Sequence, residues 1–331
     1  MPNQKFPLLV LPDPGQAEII HLTPQEAGWD YLHVSVRRMQ RGQTWEFDAA
    51  GNELALVVLG GVFFGAFPVA YGVIFSALYL PVFVMIIALA FRGVSFDFRE
   101  EAQDQGPWNL AFGLGSLSAA LAQGFVVGGF LGGLNLAGDR FVGGVWDWLN
   151  PFAALVALGL VCGYVLLGAT YLIVKTEGDL QRDCYRYAGT AAGWLLVAAV
   201  AAGGWAYVAS PFLARTWFVW PGALLTTFPT CLGGVAFILL LRSLKKRREN
   251  APFVWSLILF ALMMFATAAS VYPYAVPPNL TLTAAASPTL TLTVMLILIG
   301  VLLPVMLIYN GYQYWVFRGK TPEKGYGAYE E

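Results

Sequence analysis

Long apolar stretches without a single charged side chain recur along the chain. Asp, Glu, Lys and Arg are absent from six of them, which cover 54–91, 109–138, 148–174, 187–214, 216–241 and 250–317. A membrane-spanning helix needs roughly 20 apolar residues, so the first and last stretches can each hold two spans and the other four can hold one. The pattern therefore predicts an all-α polytopic membrane protein with about eight transmembrane helices.

A polar tail precedes the first predicted span. We expect the tail to cover residues 1–52, and the membrane domain to cover residues 53–331. Within the tail, the alternating sequence Val-Ser-Val-Arg at 34–37 indicates a weak β-strand, so we predict one or two short strands there. The first 13 residues lack the basic start, long apolar core and small-residue cleavage site of a secretory signal, so no cleavable signal peptide is expected.

The loops between the spans alternate in charge. Cations cluster after the second, fourth, sixth and eighth predicted spans, whereas the intervening loops carry Arg140, Arg215 or no cation at all. Cytoplasmic loops of membrane proteins are enriched in Lys and Arg, so the first set of loops is predicted to be cytoplasmic, together with both termini. The clustered cations are Arg92, Arg99, Lys175, Arg182, Arg186, Arg242, Lys245, Lys246, Arg247, Arg248, Arg318, Lys320 and Lys324.

Composition supports a membrane protein and argues against two other classes. Charged residues make up 12% of the 331 residues and apolar types 58%, whereas soluble domains carry about 25% charged residues. The net charge of −1 is uninformative about nucleic acid, but no basic face interleaved with aromatics is present, so no nucleic-acid partner is expected and membrane lipid is the expected surrounding. The three cysteines have no CxxC spacing, so neither a disulfide framework nor a metal site is expected.

Two segments are predicted to interrupt the helices. A short turn is expected from about Phe67-Pro68 to Ser76, between the first two spans. Between the last two spans, 272–278 reads Tyr-Pro-Tyr-Ala-Val-Pro-Pro and is followed by a Thr-rich run to Pro288. Prolines lack a backbone donor and clash with the preceding helical turn, so this second segment is predicted to form an ordered external cap.

Seven glycines lie within 111–133, the region of the third predicted span. Small residues on membrane helices let neighbouring backbones approach closely, so we interpret these glycines as helix-packing positions. They are Gly113, Gly115, Gly124, Gly128, Gly129, Gly132 and Gly133.

Histidine is absent from every predicted span. The two histidines, His21 and His33, lie in the tail, so no span offers an imidazole ligand to a haem or a metal ion. Methionines such as Met85 and Met263 are interpreted as apolar packing residues. The chain also lacks a phosphate-binding glycine loop and a Ser-His-Asp set, so we predict no catalytic residue, no metal and no cofactor in this chain, which would act as a partner of another subunit.

Four polar residues are candidates for a proton or ligand path, because polar groups at membrane depth are often functional. Asn52 and Glu53 open the first predicted span, Gln123 lies in the middle of the third, and Asp147 lies at the start of the fourth. The alternatives are a carboxylate favoured by the dipole at a helix N-terminus and an amide bonded to a neighbouring helix.

Five loop charges form a second candidate set, for a subunit interface. They are Asp97, Arg99, Lys175, Glu177 and Asp179, all in loops predicted to be cytoplasmic. The alternative interpretation is that they are solvated loop charges or salt-bridge partners with no role in recognition.

Specific motifs run in order along the chain from about residue 60. They include GGVFFGAFPVAY at 60–71, FRGVSFDFR at 91–99, WDWLNPF at 146–152, KTEGDL at 175–180 and YPY at 272–274, with further matching segments at 77–81, 167–172 and 309–320. Over about residues 60–331 the chain resembles subunit II of cytochrome bd-type quinol oxidases, in particular the cyanide-insensitive branch.

This resemblance implies a haem-free accessory subunit of a terminal oxidase in the bacterial inner membrane. The implied partner is a homologous subunit I that carries haems of the b and d types, oxidises quinol and reduces oxygen to water in the respiratory chain. In the family, subunit II scaffolds the complex and contributes to a proton path that faces the cytoplasm.

The N-terminal region departs from the family pattern. The family usually has one further N-terminal span and a Trp-Asp-Gly-Asn-Glu/Gln motif, of which only Gly51-Asn52-Glu53 is present here, with Ala50 where the family has an acid. The resemblance therefore implies that the first span is missing, and we expect proton delivery to be impaired.

The tail shows a second resemblance. Segments at 20–24, 27–31 and 51–61 resemble the N-terminus of 5-deoxy-glucuronate isomerase, a soluble cupin. About fifty residues cannot close a cupin barrel and would leave unpaired strand edges, so isomerase activity from the tail is not expected. A polytopic transporter or channel is the other alternative, although it would require inward-facing charges or an inverted repeat, and no clear repeat is visible.

Overall fold

The computed structural model describes residues 18–22, 34–37, 60–209, 220, 222–316 and 319–320. The chain divides into two compact units, Met1–Leu54 and Ala55–Glu331. In the first unit, β1 (Glu18–Leu22) pairs antiparallel with β2 (Val34–Arg37), and His21 lies opposite Ser35. The predicted weak strands of the tail are therefore confirmed.

Long helices dominate the second unit. Seven helices of its described part are long and apolar enough to cross a membrane. This confirms the predicted all-α polytopic class. These seven are α1 (Pro68–Glu101), α2 (Gly106–Leu131), α3 (Pro151–Lys175), α4 (Gly178–Ala209), α5 (Gly222–Lys245), α6 (Asn250–Val271) and α8 (Thr289–Val316); α7 (Leu282–Ala285) is a short helix between the last two.

The predicted turn at 67–76 is wrong except at its start. Residues 60–66 are helical, Phe67 interrupts the helix, and α1 then begins at Pro68 and runs without a loop through Ser76. Proline is tolerated in the first helical turn, where its missing N–H would have no partner in any case. Pro68 therefore starts a helix instead of extending a turn. The first seven residues of the span predicted to begin at Glu53, 53–59, lie outside the described residues.

Helix α1 is longer than a membrane requires. Its 34 residues correspond to about 51 Å at a rise of 1.5 Å per residue, whereas the hydrocarbon core is about 30 Å thick. Leu78 has non-helical backbone angles, and Pro81 follows inside the helix, so α1 is kinked as expected at a proline. Its charged last turns, with Arg92, Asp97 and Arg99, can extend beyond the hydrocarbon.

Small residues bring α2 close to its neighbours. A Cβ atom at Gly128 would lie 2.5 Å from Cα of Ala153 on α3, and one at Gly124 would collide with Ala157 on the same helix. At Gly115, a Cβ atom would lie 3.0 Å from the backbone oxygen of Ala88 on α1. The predicted packing role is confirmed for these three glycines, because each marks a close backbone approach.

Helices α3, α4, α5 and α6 share an apolar core. Leu166, Ile173, Ala192 and Leu240 are fully buried within it. A hydrogen bond of 3.0 Å joins Thr170 Oγ1 on α3 to Ser256 Oγ on α6. Each hydroxyl carries one proton, so one of the two donates across to the other, and the accepting hydroxyl donates to a carbonyl of its own helix, Leu166 O for Thr170 or Phe253 O for Ser256. A polar contact at this depth favours one alignment of the two helices.

The loop cap, which we define as residues 272–288, is ordered as predicted. In it, β5 (Tyr274–Val276) pairs antiparallel with β6 (Leu280–Thr281), and α7 follows. Val276 and Leu280 are buried against residues of α1 and against Trp148. Another short hairpin, β3 (Leu136–Ala137) with β4 (Arg140–Phe141), connects α2 towards α3.

Helix α8 packs least of the seven. In each long helix we compare the most hydrophobic stretch of 18 residues. In α8 no residue of this stretch is buried by the described part of the chain, whereas the other six helices bury 22–39% of theirs. Its exposed side chains are large and apolar, including Leu290, Ile297, Val301 and Ile308. Helix α8 therefore presents apolar surface to lipid or to another polypeptide.

Candidate functional site

Lys320 joins two interhelical loops at one end of the helix bundle. Its ammonium group lies 3.0 Å from both carboxylate oxygens of Glu249, which precedes α6, and 3.3 Å from Oε1 of Glu177, which lies between α3 and α4. We call Lys320, Glu177 and Glu249 the ion cluster. Segments distant in sequence therefore meet at this end through charged groups.

The ion cluster shifts the proton affinities of its members. The hydrogen bond from Lys320 lowers the pKa of Glu249, and the same bond raises the pKa of Lys320. Both shifts favour the charged pair. The two carboxylates are about half or more exposed, so solvent screens the attraction and the contribution to stability is modest.

Lys175 extends this contact region. It donates a hydrogen bond of 3.3 Å to the carbonyl oxygen of Gly319, and its ammonium lies 5.9 Å from the ring centroid of Tyr171 on the preceding turn of α3. Two of the five predicted interface charges, Lys175 and Glu177, are thus brought together at the chain segment 319–320.

Asp179, the third predicted charge of this loop, has a local partner. One of its oxygens lies 3.2 Å from the guanidinium of Arg182, one turn further along α4. Both side chains are largely exposed, so this pair adds little stability. It leaves Asp179 on the surface, as a solvated charge.

Asp97 lies apart from the ion cluster, near the end of α1. It lines a shallow cavity of about 430 Å³ together with Arg92 and Phe112, and the Arg92 guanidinium lies 5.3 Å from the Phe112 ring centroid. Arg99 is exposed in the last turn of the same helix. Neither Asp97 nor Arg99 contacts the ion cluster.

Gln123 bonds to a neighbouring helix. Its Oε1 accepts a hydrogen bond of 2.7 Å from the hydroxyl of Tyr164 on α3. The Tyr164 ring stacks on Phe260 of α6 at a centroid distance of 6.3 Å. Both Gln123 and Tyr164 are exposed within the described bundle, so this polar pair faces outward from it.

Asp147 lies in a loop and not in a helix. It precedes α3 by four residues, and its Oδ2 accepts hydrogen bonds from the Gly144 backbone N–H at 3.0 Å and from Asn135 Nδ2 at 3.2 Å. Helix α3 begins at Pro151, and its N-cap residue is Asn150, whose side chain accepts a bond from the N–H of Ala153. The placement of Asp147 at the start of the fourth span is therefore wrong, because the cap residue lies three positions later.

The remaining two candidates, Asn52 and Glu53, lie outside the described residues. The structure thus brings Lys175 and Glu177 together and leaves Gln123, Asp147 and Asp97 in separate places. Three contributors were not predicted from the sequence: Glu249, Tyr164 and the bridging role of Lys320. The cation clusters near 245–248 and 318–324 were a signal that these loops share one side, but pairings across loops have no signature in a single sequence.

Comparison with known proteins places this bundle in a family. The family model for cytochrome bd terminal oxidase subunit II matches residues 40–317. Cytochrome bd-I ubiquinol oxidase subunit 2 of Escherichia coli (strain K12) is 29% identical over 311 residues, covering 83% of this chain and 82% of the relative. Cytochrome bd ubiquinol oxidase subunit 2 of Bacillus subtilis (strain 168) is 27% identical over 296 residues, covering 86% and 84%.

A solved structure shares the fold. The bd oxidase from Geobacillus thermodenitrificans matches with a TM-score of 0.66 and 20% identity, over 82% of this chain and 83% of that chain. With seven long apolar helices in its described part, the chain is a multi-pass bacterial inner-membrane protein, and it belongs to the cytochrome bd terminal oxidase subunit II family.

The second resemblance, of the tail to a cupin isomerase, is not supported. The family match begins at residue 40, so it includes part of the segment that the tail was predicted to occupy. The boundary at residue 52 stays a prediction.

Proposed function

We propose that this chain is a haem-free accessory subunit that scaffolds a bd-type quinol oxidase. Its partner is a subunit I that carries haems of the b and d types and couples quinol oxidation to the reduction of oxygen to water. Membership of the subunit II family over residues 40–317 is the observation that carries this proposal. Family membership also favours an oxidase subunit over the alternative function, a polytopic transporter or channel.

The side chains in the helices that could ligate haem iron support a haem-free role. The sequence holds two histidines, His21 and His33, and neither falls in the seven helices. Haem iron in proteins is held by His, Cys, Met or Tyr side chains. Cys184 is buried in the apolar core, and Met264 is exposed on the bundle surface. Because no imidazole is available in these helices, the redox chemistry is assigned to the partner.

The loops support a topology with both termini in the cytoplasm. The ion cluster brings together 176–177, 246–249 and 319–320 at one end of the bundle. These segments adjoin the cation clusters after the fourth, sixth and eighth predicted spans, and such clusters mark the cytoplasmic side. We therefore assign the ion cluster, with the charges Lys175 and Glu177, to the cytoplasmic face.

Proton entry is proposed to begin at Asn52 and Glu53. This assignment rests on the resemblance of Gly51-Asn52-Glu53 to the family motif, and on the role of polar groups at membrane depth in proton paths. Gln123 and Asp147 are secondary candidates, and the structure gives each a local hydrogen-bond partner.

Co-expression with a bd-type subunit I tests the proposed partnership. With an affinity tag on this chain alone, we expect subunit I to co-elute in detergent and the complex to consume oxygen when quinol is supplied. A matched preparation containing the subunit II that natively accompanies that subunit I serves as the control. Failure to co-elute, beside a control that succeeds, would contradict the scaffolding role.

A further inference from the structure

A small cavity lies beside the ion cluster, at the level where helices α4 and α6 begin and α5 ends. Its volume is about 210 Å³, and it is lined by Gly178, Gln181, Arg182, Tyr185, Arg247 and Glu249. One water molecule occupies about 30 Å³ of liquid volume, so the cavity has room for a group the size of phosphate.

Positive charge dominates the walls and surroundings of this cavity. Two of the six lining residues are arginines, Arg182 and Arg247. The turn that carries Arg247 holds Lys245, Lys246 and Arg248 as well. The lining carboxylate, Glu249, is paired with the ammonium of Lys320. Arg182 is likewise paired with the carboxylate of Asp179 at 3.2 Å, so each pair is close to neutral and Arg247 is the lining charge outside both pairs. The cavity therefore favours an anion.

Arg247 occupies a backbone position that usually favours glycine. Its φ angle is +47°, and two hydrogen bonds define the turn, from the N–H of Arg247 to the Leu244 carbonyl and from the N–H of Arg248 to the Ser243 carbonyl. This is the Schellman ending of a helix, in which glycine is the usual residue at the left-handed position. An L-residue there is strained by roughly 1–2 kcal/mol, so the arginine is unfavourable for the turn itself and invites a role for its side chain.

Tyr185 fixes this turn against α4. Its hydroxyl donates a hydrogen bond of 3.1 Å to the carbonyl oxygen of Arg248. Arg182 lies one turn before Tyr185 on α4, so the two arginines line one cavity from α4 and from the turn that follows α5. Arginine matches phosphate well, because its planar fork can donate two parallel hydrogen bonds.

We propose that this cavity binds the phosphate group of an anionic phospholipid, with Arg182 and Arg247 as its ligands. Basic pockets between membrane helices, at the level of the headgroups, are suited to anionic lipids. The occupant is a lipid and not free phosphate because the cavity lies at the ends of membrane-spanning helices, where lipid phosphate is the abundant anion and acyl chains can follow the apolar helix surface.

Native mass spectrometry of the full-length chain, purified in detergent and mixed with phosphatidylglycerol or phosphatidylcholine, tests this site. Wild type is expected to retain one phosphatidylglycerol and to prefer it over phosphatidylcholine. Arg182→Gln and Arg247→Gly should each weaken phosphatidylglycerol retention about tenfold, as expected for loss of a hydrogen bond to a charged group. Arg247→Gly also removes the strain of the turn, so its melting temperature without added lipid should equal or exceed that of wild type.

Arg186→Gln is the matched control. Arg186 lies on the same helix, one turn beyond Arg182, and pairs with Asp183 as Arg182 pairs with Asp179, but it does not line the cavity. Phosphatidylglycerol retention by this variant should equal that of wild type. Equal retention of both lipids by wild type, or an equal loss in Arg186→Gln, would overturn the proposal. Displacement of the lipid by millimolar inorganic phosphate would overturn the choice of a lipid.

Discussion

The hydroxyl of Tyr164 on α3 donates a hydrogen bond of 2.7 Å to Oε1 of Gln123 on α2, although both side chains lie on the outer surface of the described bundle. Water is absent from the bilayer core, so polar groups there are satisfied by one another or by a neighbouring protein. The bond ties two helices that also meet at Gly124 and Ala157. This contact is the one expected under the alternative interpretation of Gln123, an amide bonded to a neighbouring helix.

Removal of this bond should destabilise the bundle slightly. Tyr164→Phe leaves the ring that stacks on Phe260 but removes the donor, and hydrogen bonds between membrane helices contribute about 0.6 kcal/mol on average. We expect a small decrease in the free energy of unfolding, measured by denaturant titration in mixed micelles. Tyr79→Phe is the control, because Tyr79 is an exposed tyrosine on α1 that makes no hydrogen bond to another described residue. Equal effects of the two substitutions would contradict the assignment.

Gly128 should be far less tolerant of substitution than Gly113 on the same helix. A Cβ atom at Gly128 would lie 2.5 Å from the backbone of Ala153, whereas one at Gly113 meets nothing within 4 Å. Overpacking costs about 1–3 kcal/mol, and alanine is favoured over glycine in a helix by about 1 kcal/mol. Gly128→Ala should therefore lower thermal stability, while Gly113→Ala should leave it unchanged or raise it. A similar loss in both variants would contradict the close packing of α2 on α3.

The ion cluster should make stability depend on pH at the acid end. The pKa of Glu249 is lowered below its ordinary 4.5 by Lys320, so the stabilisation is present above pH 4.5 and is lost as the pH falls through the lower folded value. The pKa of Lys320 is raised above 10.5, so its contribution is present below pH 10.5 and is lost only as the pH rises through the higher folded value.

Melting temperatures of Lys320→Gln and wild type at pH 3 and pH 7 check this prediction. The variant should melt below wild type at pH 7, and the difference should shrink as the pH is lowered and Glu249 takes up a proton. Lys246→Gln removes the same charge from an exposed lysine outside the ion cluster and should not change the pH dependence. A difference between wild type and Lys320→Gln that persists unchanged at pH 3 would be inconsistent with the cluster.

Glu53→Gln tests the proposed proton entry. If the carboxylate takes up protons, the substitution should slow quinol-dependent oxygen consumption by the assembled oxidase, because the amide cannot exchange a proton at that position. The haem spectrum of the partner should be unchanged, which separates proton delivery from assembly. Asp147→Asn, in a loop held by Gly144 and Asn135, provides a comparison. Unchanged turnover in Glu53→Gln would remove Glu53 from the proton path.

Hydrophobic patterning was sufficient for the membrane helices because each charge-free stretch is a local property of the sequence. It located α2 to α6 and α8 but not the short helix α7, and it also anticipated the close approach at Gly124 and Gly128. It failed at Pro68, because proline is compatible both with a loop and with the first turn of a helix. Which of the two forms depends on tertiary packing that the hydrophobic pattern does not describe.

The candidate site was predictable only in part. Lys175 and Glu177 were identified as loop charges. Their contacts with 319–320 depend on how three loops meet in the folded chain, and no motif in the sequence marks that meeting. Asp147 was misplaced because the residue that caps α3, Asn150, is only three positions away and both types favour helix N-termini. The bond from Tyr164 to Gln123 spans 41 positions, and neither residue has a motif that marks the other.

The haem content of this chain tests the central claim most directly. The chain should be purified alone and together with a bd-type subunit I, and the haem-to-protein ratio and the reduced-minus-oxidised spectrum should be measured for both preparations. The proposal predicts no haem in the chain alone and the full haem signal in the co-purified complex. Stoichiometric haem bound to the isolated chain would contradict a haem-free accessory role.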